Sequence, residues 1–162
     1  MKQIPILYED DALLVCVKPQ GVPSQADRTN DEDVLNHFKS YLFDRDKLEE
    51  EPYLAIIHRL DRPVGGIMVL AKTQEAAADL SDQVQDGTMV KFYQAILTGE
   101  LPNESGTLQD YLIKDGKTNT TKVVAKGTKG AKQAVLDYEV LDVFETDEGI
   151  LSYVLIQLLT GR

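Results

Sequence analysis

The chain has 162 residues, 43% of them hydrophobic, which is enough for one domain with a contiguous core. Its 27 acidic and 17 basic residues give a formal net charge of −10, which argues against a protein that holds nucleic acid by overall charge. The sequence contains no run of about 18 apolar residues, so no membrane-spanning segment is predicted. The single cysteine, Cys16, cannot form an internal disulfide, and we expect a cytoplasmic protein.

The first part of the chain predicts a hairpin, a loop and a helix. Period-2 alternation indicates strands at residues 4–8 and 13–18, joined by a short acidic turn. Residues 18–23 contain two prolines and a glycine, so we expect irregular backbone there. Residues 29–32 fit a capping box, and apolar residues at helical spacing then predict a helix that ends near Asp44.

The rest of the chain predicts one more helix and a run of strands. Residues 67–71 form an apolar strand, and residues 74–86 form an amphipathic helix that ends at Gly87. Five strands follow, at residues 89–97, 107–113, 121–125, 134–144 and 150–159. This order predicts an α+β protein with a mixed, mainly antiparallel sheet and flanking helices, in a single domain over residues 1–162.

A charged tetrad lies between two apolar runs in the middle of the chain. Residues 58–61 read His-Arg-Leu-Asp, and Pro63 with two glycines then makes a bend. A break of this kind in a strand-like pattern places side chains at the rim of a sheet, where sites are commonly built. The sequence therefore predicts a functional site at this bend.

Further motifs stand in a fixed order around the tetrad. They are Lys18-Pro19-Gln20-Gly21-Val22-Pro23 after the opening strand pair, Gly66 and Ala71-Lys72 after the tetrad, Lys91-Phe92-Tyr93-Gln94-Ala95 with Gly99, and Thr160-Gly161-Arg162. In this order they resemble the motifs of the RluA-like RNA pseudouridine synthases. Val64 and Gly65 stand where that family usually has Thr and Ser. The chain ends at Arg162, inside the family's longer T-G-R-x-H-Q-I-R motif, so we expect a C-terminally incomplete catalytic domain.

The resemblance implies an isomerase that converts specific uridines of structured ribosomal or transfer RNA to pseudouridine. Breaking the bond between ribose and uracil and rejoining the base through C5 suits a carboxylate nucleophile, and Asp61 is the candidate. The resemblance gives Arg162 as its cationic partner. No metal or redox cofactor is expected, because two histidines 21 residues apart and one cysteine lack metal-ligand spacing. We expect a monomer whose partner is RNA and which does not bind membranes.

The resemblance also implies how the target base is reached. Such an enzyme flips the uridine out of the RNA stack, and Arg59 is expected to fill the gap. Tyr93 is expected to stack on the uracil, because an aromatic ring presents a flat face to a base. His58 and Arg62, on either side of the nucleophile, are expected to help bind the substrate.

Positive charge is concentrated in one window of the sequence. Residues 114–132 contain six lysines, at positions 114, 117, 122, 126, 129 and 132, against one acid, Asp115. The window therefore carries +5, which leaves −15 for the rest of the chain. Such a strip can guide RNA on an acidic protein, because charges are screened beyond about 8 Å at physiological salt. A solvated loop without a ligand is the other open interpretation.

Three other interpretations of the chain stay open. The first is a non-catalytic RNA-binding module of the same fold, which would bind RNA with or without an intact Asp61. The second is a glycoside or nucleoside hydrolase that pairs Asp61 with a second carboxylate, such as Asp10 or Asp11, at a carboxyl separation of about 5–9.5 Å. The third is a protein-interaction domain, which the negative charge favours. At single positions, Asp61 also fits a turn-forming residue and Tyr93 a strand core residue.

Overall fold

The computed structural model describes residues 4–29, 31–116, 118 and 120–160. The chain divides into two compact units, Met1–Met89 and Val90–Arg162. In its described residues the first unit contains two helices and four strands, and the second contains five strands. Neither of those helices is long and apolar enough to span a membrane. A single catalytic domain over the whole chain stays a prediction.

The first unit is built on a four-stranded sheet. Its elements are β1 (Ile6–Glu9), β2 (Leu13–Lys18), α1 (Val34–Asp46), β3 (Ala55–Ile56), β4 (Gly66–Ala71) and α2 (Gln74–Asp86). The strand order is β1-β2-β4-β3, and the described pairs are antiparallel. The predicted hairpin is confirmed, because β1 pairs with β2. In the turn between them, the carboxylate of Asp10 accepts hydrogen bonds from the backbone N–H groups of Ala12 and Leu13.

The core of the first unit lies along β2, β4 and one face of α1. Leu14 and Cys16 of β2 are fully buried and alternate with half-buried neighbours, as period-2 patterning predicts. Val34, Phe38 and Leu42 of α1 recur every four residues and are buried too. Burial raises the pKa of the Cys16 thiol to about 12, which keeps it a neutral core group.

The helix ends agree with the sequence for α2 and differ from it for α1. The predicted capping box at residues 29–32 is wrong, because the cap of α1 is Asp33. The Asp33 carboxylate accepts hydrogen bonds from the backbone N–H and the side-chain amide of Asn36, at 3.0 and 2.7 Å. The helix also continues to Asp46, beyond the predicted end. Both bounds of α2 are as predicted, and Gly87 ends it in the left-handed conformation.

The second unit is a five-stranded antiparallel sheet. Its strands are β5 (Phe92–Thr98), β6 (Ser105–Asp115), β7 (Thr120–Val124), β8 (Lys132–Thr146) and β9 (Gly149–Leu158), in the order β5-β9-β8-β6-β7. The sequence predicts all five strands, with ends that differ by one to three residues, and the α+β class is confirmed. The described strands form two antiparallel sheets, where one mixed sheet was expected, because strand pairing depends on contacts distant in sequence.

Candidate active site

Two loops meet at one end of the first unit's sheet. β2 ends at Lys18, β4 begins at Gly66, and these two residues are paired in the ladder. The loop of residues 19–24 therefore leaves the sheet beside the point where the loop of residues 57–65 arrives. The tetrad lies in the second loop, at the rim of the sheet.

Lys18 is the central connection between the two loops. Its side chain is fully buried, and its ammonium group donates hydrogen bonds to the carbonyl oxygens of Pro19 (3.1 Å), Val22 (2.6 Å) and Arg62 (3.3 Å). Three carbonyl acceptors match the three donors of an ammonium group, so the buried charge is satisfied. Burial lowers the pKa of Lys18, and the negative charge of Asp61 opposes that shift.

Further contacts fix the spacing of the two loops. The backbone N–H of Gly21 donates to the carbonyl oxygen of Arg62 at 2.7 Å. The Ser24 hydroxyl donates to the carbonyl oxygen of Leu60 at 2.7 Å and accepts from the N–H of the same residue at 3.2 Å. At Gly65 a Cβ would lie 3.1 Å from a side-chain carbon of the facing loop, so glycine allows the close approach. The tetrad is therefore held in place through its backbone.

Arg59 and Asp61 are the charged side chains of the tetrad, and both are exposed. Leu60 between them is buried, so successive residues alternate between the core and solvent. Within the described residues, neither charged side chain makes an ion pair or a hydrogen bond. The carbonyl oxygen of Asp61 accepts from the N–H of Val64 at 2.9 Å and closes the turn. The turn therefore uses the backbone of Asp61 and leaves its carboxylate available.

His58 and Arg62 are both expected to bind substrate, but their side chains contact other segments of the first unit: β4 and the loop before α1. The Nε2 atom of His58 accepts a hydrogen bond from the backbone N–H of Val69 at 3.3 Å, just beyond the end of β3. The Arg62 guanidinium donates to the hydroxyl of Thr29 at 3.1 Å and forms an ion pair with Asp31. That guanidinium holds the pKa of the Asp31 carboxyl below its usual range. These contacts favour positioning roles, and direct substrate binding by either residue stays a prediction.

The carboxylates of the β1–β2 turn lie far from Asp61. Asp10 is hydrogen-bonded to the backbone of Leu13, at the opposite end of β2 from Lys18. The residues between those two ends of β2 span about 17 Å, whereas the carboxyl pair of a glycoside hydrolase is separated by about 5–9.5 Å. A two-carboxylate hydrolase built from Asp61 and this turn is therefore excluded. Within the described part of the chain, no group of three or more His, Cys, Asp or Glu side chains could hold a metal ion.

The remaining predicted residues belong to the second unit. Tyr93 is half-buried on β5, where it is paired with Ile156 of β9. The Thr160 hydroxyl, in the first residue of the T-G-R motif, accepts a hydrogen bond from the backbone N–H of Val135 of β8 at 3.0 Å. Arg162 lies outside the described residues. The roles of Tyr93 and Arg162 stay predictions.

Lys18 is the site residue whose role the sequence analysis missed. The residue stands in a motif that was identified, but lysine is rarely buried, so a buried cation was not expected. A signal was nevertheless present, because Leu14, Cys16 and Lys18 continue one face of the period-2 pattern of β2. The face that carries two core residues therefore also carries the lysine into the protein interior.

Comparisons with known proteins point to one family. A sequence model of the family described as RNA pseudouridylate synthase matches residues 12–162. The chain is 32% identical over 162 residues to ribosomal large subunit pseudouridine synthase D of Neisseria meningitidis serogroup B, across 98% of this chain and 40% of that protein. It is 32% identical over 161 residues to the protein of the same name from Pseudomonas aeruginosa, across 99% of this chain and 47% of that protein.

Solved structures share the fold. Human RNA pseudouridylate synthase domain containing 4 matches with a TM-score of 0.78 at 24% identity, over 97% of this chain and 59% of that one. Human RNA pseudouridylate synthase domain containing 1 matches with a TM-score of 0.76 at 22% identity, over 99% of this chain and 61% of that one. The chain spans about half the length, or less, of the curated relatives it matches.

Proposed function

Because this chain belongs to the RNA pseudouridylate synthase family, we propose that it isomerises a uridine of RNA to pseudouridine. The observation that carries the proposal is the state of Asp61. Its carboxylate is exposed and unpaired within the described residues, while the loop that bears it is tied to the buried Lys18. A nucleophile needs both properties, because it must reach the substrate and must be held at a fixed position.

The proposed reaction rearranges the nucleotide without adding or removing atoms overall. The bond between C1′ of the ribose and N1 of uracil breaks, and a bond between C1′ and C5 forms. The proton on C5 leaves to water, and N1 takes up a proton. Asp61 forms a covalent adduct during this exchange and is released at its end, which a carboxylate can do. Lys18 provides a positive charge near the nucleophile, and its three carbonyl contacts fix that charge in place.

The target uridine must leave the RNA stack before the nucleophile can reach it. Arg59 is exposed and unpaired in the described residues, and its planar guanidinium is suited to fill the gap left by the base. In the same proposal Tyr93 stacks on the uracil, a contact worth about 1–3 kcal/mol, and Arg162 pairs with the nucleophile. His58 and Arg62 support the site by holding β4 and the loop before α1.

Ribosomal RNA is the substrate class that we propose. The relatives from Neisseria meningitidis and Pseudomonas aeruginosa are named for the large ribosomal subunit. Transfer RNA is the alternative substrate, and offering both RNAs in one assay would separate the two. A cytoplasmic location, where both RNAs are found, and a monomeric state belong to the same proposal.

The test is tritium release from RNA transcribed with 5-tritiated uridine, since joining at C5 expels that hydrogen. The chain is compared with Asp61→Asn, which removes the nucleophile, and with Asp11→Asn, which makes the same chemical change in the exposed β1–β2 turn. We expect the wild type and Asp11→Asn to release tritium equally. We expect Asp61→Asn to be at least about 10³-fold slower.

Other outcomes would replace the proposal. Release by Asp61→Asn at the wild-type rate would remove that residue from the nucleophile role. RNA binding without release by the wild type would make a non-catalytic binding module the better interpretation. An absence of RNA binding even at low salt would favour a protein-interaction domain, because electrostatic binding is strongest there.

A further inference from the structure

The segment that joins β7 to β8 crosses over β6. β7 ends at Val124, which is paired with Tyr111 of β6, and β8 begins at Lys132, which is paired with the neighbouring Leu112. Because β7 and β8 lie on opposite sides of β6, their ends are two strand spacings, about 10 Å, apart. Residues 125–131, the crossover, span that distance.

The crossover consists of two successive turns of the same kind. In each turn the N–H of the fourth residue donates to the carbonyl oxygen of the first, at 3.1 Å in residues 125–128 and at 3.0 Å in residues 128–131. The third residue of each turn is a glycine, Gly127 or Gly130, with φ of 90° and 84°. A type II turn requires this left-handed conformation at its third position. The second residue of each turn is a lysine, so the turns repeat a lysine at a fixed interval.

Three lysines lie together at the crossover. Lys126 and Lys129 hold the second positions of the two turns and are exposed. Lys122 of β7, also exposed, is paired with Ile113 of β6. A Cβ at Gly130 would lie 3.8 Å from the Ile113 side chain, so the crossover packs on the face of β6 that carries this isoleucine. Lys122 lies on that same face, because residues paired across antiparallel strands share a face.

Charge is unevenly distributed over the sheet of the second unit. The tip of the β8–β9 hairpin, residues 142–148, contains four acids and no base. On β8 the first acid after Lys132 is Asp137, five residues and about 17 Å along the strand, which is about twice the screening length of about 8 Å. Within the described residues, none of Lys122, Lys126 and Lys129 forms an ion pair. The crossover therefore keeps a local positive field on a chain of net charge −10.

We propose that Lys122, Lys126 and Lys129 bind backbone phosphates of the RNA substrate, outside the nucleotide that reacts. The identity of the polyanion rests on the proposed function. The repeated turn holds two of the lysines at a set spacing, and an ammonium group binds phosphate as a point charge without reading the base. The crossover thus supplies affinity and placement, and the tetrad loop supplies the chemistry.

The test compares two double variants that change the net charge equally. Lys126→Gln/Lys129→Gln neutralises the crossover, whereas Lys39→Gln/Lys47→Asn removes two lysines from the first unit. Binding of a fluorescein-labelled RNA hairpin with a uridine-rich loop is measured by anisotropy over a series of salt concentrations. We expect the crossover variant to bind about tenfold more weakly and its slope of log K against log salt to fall by about 2, with the control variant unchanged.

A charge-preserving variant separates lost charge from damaged structure. Lys126→Arg/Lys129→Arg keeps both cations and should bind as the wild type does. Equal weakening by the crossover and control double variants would overturn the proposal, because net charge alone would then explain the loss. Unchanged binding by the crossover variant, or no RNA binding by the wild type at low salt, would overturn it as well.

Tritium release distinguishes a failure of this proposal from a failure of the proposed function. Asp61→Asn is expected to lose release and to keep binding that depends on the crossover. Binding that depends on the crossover, without release by the wild type, would support the crossover and contradict the isomerase. Release by the wild type, with binding indifferent to the crossover, would support the isomerase and contradict the crossover.

Discussion

Beside the start of β2 the carboxylate of Glu9, the last residue of β1, lies between two cations, whereas the carboxylate of Asp61, in the loop beside the end of β2, has no ion-pair partner in the described residues. Glu9 accepts hydrogen bonds from the Arg45 guanidinium, at 2.7 and 2.9 Å, and from the Lys72 ammonium at 2.8 Å. Its hydrogen bonds with Arg45 hold the pKa of the Glu9 carboxyl below its usual value. These charges stabilise the fold by pairing with one another.

The end of β2 uses its cation differently. The Lys18 ammonium is satisfied by three backbone carbonyl oxygens, and the nearby Asp61 carboxylate stays exposed. Charge beside the start of the strand therefore holds elements together, while the carboxylate beside its end is unpaired in the described residues, as the proposed function requires. The end of the sheet that we propose to be reactive therefore differs from the other end, because its ionisable groups are held through backbone contacts and do not pair with one another.

The largest predicted effect comes from replacing two lysines by a neutral side chain of similar length: Lys18, at the end of β2, and Lys72, which follows β4 and lies beside the start of β2. Lys18→Met leaves three carbonyl oxygens without their shared donor, and we expect the free energy of unfolding to fall by about 3 kcal/mol. Lys72→Met removes one of the two cations that contact Glu9 and should cost about 1 kcal/mol. Chemical denaturation of the two variants measures the difference.

Activity separates a positioning role of Lys18 from a packing role. If Lys18 positions the nucleophile, kcat for tritium release per folded molecule falls in Lys18→Met while KM changes little. Lys72→Met should release tritium at the wild-type rate. Equal losses of stability in the two variants, or an unchanged kcat in Lys18→Met, would break the comparison between the two ends.

The sequence predicts those parts of the site that depend on neighbours along the chain. The strand that ends at Lys18 and the bend after the tetrad follow from local patterning. The contacts that the two loops make across the fold do not follow from local patterning. Ser24 and Leu60 are 36 positions apart, and Arg62 lies 31 positions from Asp31. Such pairs depend on how the loops meet in the folded protein, which no local pattern records.

The cap of α1 shows how a distant contact overrides a local pattern. Thr29 fits the first position of a capping box, but its hydroxyl donates to Asp27 and accepts from the Arg62 guanidinium. Because Asp27 and Arg62 already use the Thr29 hydroxyl, it is not available to cap α1. Asp33, four residues later and almost fully buried, caps α1 instead.

A smaller effect, dependent on pH, is expected from neutralising the carboxylate of Glu9. The pKa of Glu9 is lowered from 4.5 in the folded protein, so its contribution to stability is present above that value and is lost as the pH falls through the lowered pKa. Glu9→Gln should lower the free energy of unfolding by about 1 kcal/mol at neutral pH and by less in acid. Denaturation measured across that pH range checks the sign.

Asp61→Asn is the matched change at the other end of the strand. Its carboxylate is exposed and unpaired within the described residues, so the variant should unfold as the wild type does at neutral pH. A loss of stability as large as that of Glu9→Gln would mean that Asp61 is also held by pairing. The contrast between the two ends would then disappear.

A further small effect is predicted for His58, which begins the tetrad but contacts the sheet. The Nε2 atom of His58 must carry no proton in order to accept the hydrogen bond from the N–H of Val69. This hydrogen bond takes the place of the ladder bond that β3 would make to Val69 if the strand were longer. His58→Leu removes this acceptor and should lower the free energy of unfolding by about 1 kcal/mol. His58→Gln keeps an acceptor oxygen and should lose less, which thermal or urea denaturation can measure.

The same two variants decide whether His58 touches RNA. Both lack the imidazole ring, so direct contact with the substrate predicts that both raise KM for RNA by a similar factor. A role through β4 predicts instead that KM follows stability, with His58→Gln close to the wild type. In that second case His58 has a structural role, and Arg59 and Asp61 are the tetrad side chains that the proposed function leaves for the substrate.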